Sequence, residues 1–126
     1  MIEVAIVDLI TKNSGIIALI GDRIYPLRLP QDVIFPAMTY SVISNPEGHI
    51  THWGNPRIQL DVFSERFLEG RDIATRIKNL LRGYSGIDNT NAVKIKQIVF
   101  ISWQDIPEMD NLYRVSMDFK ILNETI

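Results

Sequence analysis

Between residues 57 and 82, RIQLDVFSERFLEGRDIATRIKNLLR, the apolar period changes within one short stretch. Ile58, Leu60 and Val62 alternate with Arg57, Gln59 and Asp61, which is the period of two of a strand with one buried face. From Ile73 onward the apolar residues Ile73, Ala74, Ile77, Leu80, Leu81 and Tyr84 fall on one side of a 3.6-residue helix. Ser64 is a candidate N-cap, since its hydroxyl can accept a free first-turn N–H. Gly83 stands where a left-handed residue ends a helix. The stretch therefore predicts a strand followed by a helix over 67–82 that lies back across a sheet. The rest of the chain has to supply the other strands.

Those strands are predicted on either side. Residues 35–43 alternate Met38, Tyr40 and Val42 with Ala37, Thr39 and Ser41, rich in the side chains that suit a pleated surface. This strand is expected to pair antiparallel with the strand starting at Arg57. After a polar connection over 84–91, Val93, Ile95, Val99, Ile101 and Trp103 alternate through 93–103, with Ile98 and Phe100 making the second half apolar on both sides. Residues 104–111 read as an acidic turn. Tyr113, Val115, Met117, Phe119 and Ile121 then alternate with Arg114, Ser116, Asp118 and Lys120, one wet face and one dry. Upstream, Ile2, Ala5, Ile6, Leu9 and Ile10 share a helical face over 2–12. Asn13 or Ser14 can cap a second short turn that ends at Gly21, and Arg23-Ile24-Tyr25 reads as briefly extended. The fold class that results is α+β over residues 1–126 as one domain. Its four-stranded, mainly antiparallel sheet has the order strand-strand-helix-strand-strand, with one long helix and the N-terminal helix packed on one face. The expected core is Ile58, Leu60, Val62, Val99, Ile101, Val115, Met117 and Phe119 against Ile73, Ile77, Leu80 and Leu81.

Composition matters mainly for what it excludes. A net charge of −2 gives no bulk attraction for polyanions. With no cysteine there is neither a disulfide nor a thiolate metal site. The apolar runs are far too short to span a bilayer, so no membrane partner is expected. Glu3 and Asp8 interrupt the N-terminal apolar pattern, which argues against a secretory leader.

Candidate chemistry is sparse. His49 and His52 form an H-x-x-H pair in the long connection over 45–56, NPEGHITHWGNP, with Glu47 the one carboxylate nearby. A metal site needs a further ligand held in place, so a solvated or contact loop is the plainer reading. Asp105, Glu108 and Asp110 lack the glycine and terminal glutamate of a calcium loop. No G-x-S-x-G, G-x-G-x-x-G or phosphate-loop pattern occurs. Arg71, Lys78 and Arg82 form a basic stripe on the helix, but Asp72 and Arg76 flank it as on an ordinary ion-paired face. No catalytic residue, metal ligand or cofactor is assigned. Trp53 lies in a Gly/Pro-rich loop with no evident place in its own core. Together with Ile50, His49 and His52 it forms the candidate contact to another subunit, because tryptophan is favoured at such contacts.

Several stretches, in order, resemble the tail completion proteins of long-tailed bacteriophages and prophages, also called tail terminator or tail-to-head joining proteins. They are the N-terminal helix, Ile20-Gly21-Asp22-Arg23-Ile24-Tyr25-Pro26, Pro30-Gln31, Phe35-Pro36-Ala37-Met38-Thr39-Tyr40, Arg57-Ile58-Gln59-Leu60-Asp61-Val62-Phe63-Ser64 with its following helix, and Tyr113-Arg114-Val115-Ser116-Met117-Asp118-Phe119. The resemblance implies a structural virion assembly protein that is not an enzyme. It implies a ring, commonly of six copies, that caps the tail tube and presents it to the head connector. The implied partners are its own copies, the tail tube protein and a head-closure or connector protein, with DNA only as passing cargo. The implied location is the tail–head junction of the virion, reached through the host cytoplasm during assembly. Two other readings stand beside it: another neck component such as a head-closure protein, and a small α+β enzyme or ligand-binding domain. The histidines and tryptophan of the 45–56 loop depart from the family pattern.

Overall fold

A computed structural model describes residues 2–44 and 53–125. Two helices open the chain, α1 (Ile2–Thr11) and α2 (Ser14–Ile20). Asn13 caps α2, its side-chain oxygen accepting the Ile16 N–H at 3.0 Å. Strands β1 (Ile24–Pro26), β2 (Ala37–Ser44), β3 (Trp53–Gly54) and β4 (Arg57–Ser64) follow. Helix α3 (Phe67–Leu81) and strands β5 (Gly86–Asp88), β6 (Val93–Pro107) and β7 (Tyr113–Thr125) complete the order.

The four-stranded sheet expected from the period is corrected by this topology. Six strands lie side by side in the order β1-β2-β4-β7-β6-β5, and the two-residue β3 also pairs β7. The sheet is mixed and curled, and among the described residues three helices accompany it rather than one long helix with a partner. β1 is parallel to β2, while every other pairing is antiparallel. β1 and β5 have three residues each, and β3 has two. Segments that short complete no period, so only neighbours that supply hydrogen-bond partners make them strands. The last strand also takes a central place: β7 sits between β4 and β6. β4 and β6 therefore run in the same direction with β7 between them, and α3 is the crossover connecting them.

All three helices enclose one core. Ala5, Ile6 and Ile10 of α1, Ile16 and Ile20 of α2, and Ile73, Ala74, Ile77 and Leu81 of α3 are buried together with Ile58, Leu60, Val62, Val115, Met117, Phe119 and Ile121 of the sheet. Two expected core members, Val99 and Ile101, do not belong to it. β6 carries register shifts between Ile95 and Gln97 and between Phe100 and Ser102. Each bulge inserts one residue and reverses which side chains face inward. The inward set on β6 becomes Val93, Ile95 and Ile98, with Phe100 and Trp103 partly buried against the core, while Ile101 is 41% exposed. Leu80 is likewise only partly buried.

Two boundary expectations also need adjustment. Ser64 ends β4 rather than capping α3: Arg66 is the N-cap and makes no side-chain capping bond. The Ser64 hydroxyl instead accepts the Arg66 N–H at 3.1 Å and donates to Glu69 Oε1 at 2.9 Å, joining the strand end to the first helical turn. The expected turn over 104–111 is shorter, since β6 continues to Pro107. The reversal uses Asp110 and Asn111, both with φ 59°, and the Leu112 N–H bonds to the Met109 carbonyl at 3.3 Å.

Gly83 does adopt the left-handed backbone its position suggested, at φ 77°, and a Cβ there would meet no atom within 4 Å. Gly83→Ala therefore meets only backbone strain, and we expect a loss of about 1–2 kcal/mol in a denaturant titration.

Candidate assembly surfaces

The sheet face away from the helices is polar and internally paired. β4 and β7 place Arg57, Gln59, Asp61 and Phe63 beside Lys120, Asp118, Ser116 and Arg114. Asp61, only 5% exposed, accepts hydrogen bonds from Arg114 Nη2 at 2.9 Å and from Gln59 Nε2 at 2.9 and 3.1 Å. Arg114 also donates to Glu108 at 3.3 Å, and its guanidinium lies 5.5 Å from the Phe63 ring centre. Partial burial works against the Arg114 charge, but bonding and attraction to Asp61 and then Glu108 outweigh it and hold the guanidinium above its ordinary range. Arg57 and Asp118 pair at 2.9 Å. Period-two alternation had placed Asp61 and Arg114 on a wet face; only β7's position beside β4 makes them partners.

The basic stripe of α3 lies against aromatic side chains of β6. The Arg71 guanidinium is 5.1 Å from the Trp103 ring centre and 5.6 Å from that of Phe67, and it pairs with Asp105 at 3.2 Å. Lys78 Nζ is 4.5 Å from the Phe100 ring centre and 5.9 Å from that of Trp103. Two of the three acidic residues of the hairpin thus meet arginines: Asp105 meets Arg71, and Glu108 meets Arg114. Asp72 and Arg76 pair along the helix at 3.3 Å. Among the described residues there is no group of three or more His, Cys, Asp or Glu placed to hold a metal ion. No helix among them is long and apolar enough to cross a membrane.

Apolar side chains stand exposed in several places. Leu27 (73%), Ile34 (70%), Val42 and Ile43 lie on and beside β1 and β2. Ile101 stands on β6 at the other side of the sheet. Phe67 and Tyr113 meet edge to face at 5.6 Å, while Leu68 stands exposed on α3 and Met109 on the β6–β7 turn. The loop proposed from sequence as a contact is a different region. His49, Ile50 and His52 lie outside the described residues, and Trp53 belongs by its backbone to β3, opposite Glu124 of β7. Sequence reasoning missed the exposed set on β2 and β6, because Val42 and Ile101 each carried the same alternation as buried residues.

Comparison with known proteins adds identity to this geometry. A family model described as Tail completion protein gp17 matches residues 4–124. Among solved structures, a chain from "Virion of native gene transfer agent (GTA) particle" shares the fold, with TM-score 0.75 and 12% identity over 94% of this chain and 91% of that one. No match was found among curated proteins. The family match spans both the N-terminal helices and the whole sheet, and on that ground this chain belongs to the tail completion protein family and is a structural protein of tail and neck assembly.

Proposed function

We propose that the protein caps the finished tail tube and joins it to the head connector, working without catalysis as a ring of identical copies. The observation that carries this reading is the family match over residues 4–124, nearly the whole sequence. Its partners are then its own copies, the tail tube protein and a head-closure or connector protein, while DNA passes through. Assembly takes place in the host cytoplasm and ends at the tail–head junction. The absence of strong net charge, −2 over the chain, suits a channel that DNA must pass without sticking.

Within this reading the 45–56 loop, with His49, Ile50, His52 and Trp53, contacts a neighbouring subunit. A connection of that length does not strengthen a strand pair, since closure becomes slightly less favourable as loops lengthen. Reach to a partner is the benefit it offers. Trp53→Ala in a particle-producing strain tests the reading. The expected result is folded, soluble protein with tails that fail to join heads or that grow to irregular length. Normal infectious particles would remove Trp53 from the contact. A chain that no longer folds would assign Trp53 to its own subunit's core.

A further inference from the structure

The two sides of the sheet are unlike each other, and each is left open along part of its length. On one side β1 covers β2 only at Met38, Thr39 and Tyr40, with two further bonds, from the Met38 N–H to the Arg23 carbonyl and from the Leu27 N–H to the Tyr40 carbonyl. Among the described residues, nothing pairs with the outer edge of β2 over 41–44. On the other side β5 covers β6 at 93–95, and Gly83 and Tyr84 bond to Ile98. From residue 99 to Pro107 the outer edge of β6 has no described partner. An open strand edge is a template for another chain unless something blunts it. Here the blunting devices are bulges, one at Ile43 and one at Ile101, and both bulged residues are exposed isoleucines rather than charges.

We infer that these two sides are the two halves of one contact between copies: the open side of β6, centred on Ile101, seats the β1–β2 side of a second copy, centred on Leu27, Val42 and Ile43. The inference rests on the ring reading above and specifies its joint. Three features choose a second copy as the occupant. First, the apolar groups are distinct patches at opposite ends of the strand order β1-β2-β4-β7-β6-β5, so one copy can satisfy another in a repeating, head-to-tail manner. A two-fold dimer would cover one patch twice and leave the other wet. Second, their charges are complementary. Glu3 borders the depression lined by Pro26, Leu27, Tyr40 and Val42, while Lys78 borders the depression beside Trp103 on the β6 side, where Arg71 already meets Asp105. Third, β2 and β6 run in opposite directions, since β2 is antiparallel to β4, β4 to β7 and β7 to β6. A neighbour related by rotation about an axis along the strands thus presents its β2 antiparallel to β6. The bulges limit any backbone pairing to a short stretch, which leaves a defined side-chain contact rather than an extendable ladder.

The chain has no cysteine, so introduced pairs report cleanly. The test uses particles assembled with Val42→Cys/Ile101→Cys or Ile43→Cys/Ile101→Cys in place of the natural chain, treated with a short bismaleimide and run under denaturing conditions. The expected result is a ladder rising one subunit at a time, with each single-cysteine variant remaining monomeric. A dimer from a single-cysteine variant, or linkage to a different protein, would overturn the head-to-tail contact. Several copies per particle with no ladder would overturn this joint and leave the ring standing. One copy per particle would overturn both. Ile101→Lys adds an independent check: the soluble protein should melt like the natural one yet be lost from particles, and undiminished incorporation would count against the contact.

Discussion

Replacing Leu60 with alanine should lower the unfolding free energy by about 2–5 kcal/mol, the range for emptying a fully packed aliphatic site. Leu60 is 0% exposed and lies midway along β4, with Tyr40 of β2 and Met117 of β7 as its cross-strand neighbours. α3 packs on β4 and β7, so the cavity would be walled by sheet and helix together and has little room to collapse. Denaturant unfolding with an unchanged slope is the measurement. The informative companion is Ile101→Ala. Alternation placed Ile101 in the same core, but the bulge turns it out to 41% exposure, and its truncation should change the stability of the free subunit by less than about 1 kcal/mol. Equal losses at the two positions would mean that the bulge does not separate them.

Asp61→Ala should be the most damaging substitution on the polar face, with a loss of about 1.5–3 kcal/mol. It removes the acceptor of Arg114 and of Gln59 at a site only 5% exposed, and Glu108 alone is left to the guanidinium. Among the described residues, Arg114 and Arg57 each already hold a buried Nε without a partner, so losing the Asp61 acceptor adds to polar groups that are already unsatisfied. Asp72→Ala is the control. Its pair with Arg76 is a helical i,i+4 contact with both side chains about half exposed, so removing it should change stability by no more than roughly 0.5 kcal/mol. Thermal melts of the two variants side by side give the comparison. Similar shifts would show that Asp61 is no more sheltered than a surface acid.

What the residue pattern determined by itself was the local structure wherever a segment was long enough to carry a period. The alternation of Ile58, Leu60 and Val62, the helical face of Ile73, Ile77 and Leu81 and the left-handed Gly83 appear as read, and the cap falls on Asn13, one of the two residues the sequence offered, because each depends on neighbours within a few residues. Tertiary structure decided what depends on distant partners. β1, β3 and β5 exist only because a longer strand offers them hydrogen bonds. A bulge cannot be seen in an alternation that looks regular on both sides of it, so the faces of Val99 and Ile101 were settled by β7. The pairing of Asp61 with Arg114, 53 residues apart, follows from the insertion of β7 between β4 and β6, and the edges of β2 and β6 left open among the described residues follow from the shortness of β1 and β5. Strand order is a property of the whole sheet: period two states which face a side chain takes, and says nothing about which strand lies beside it.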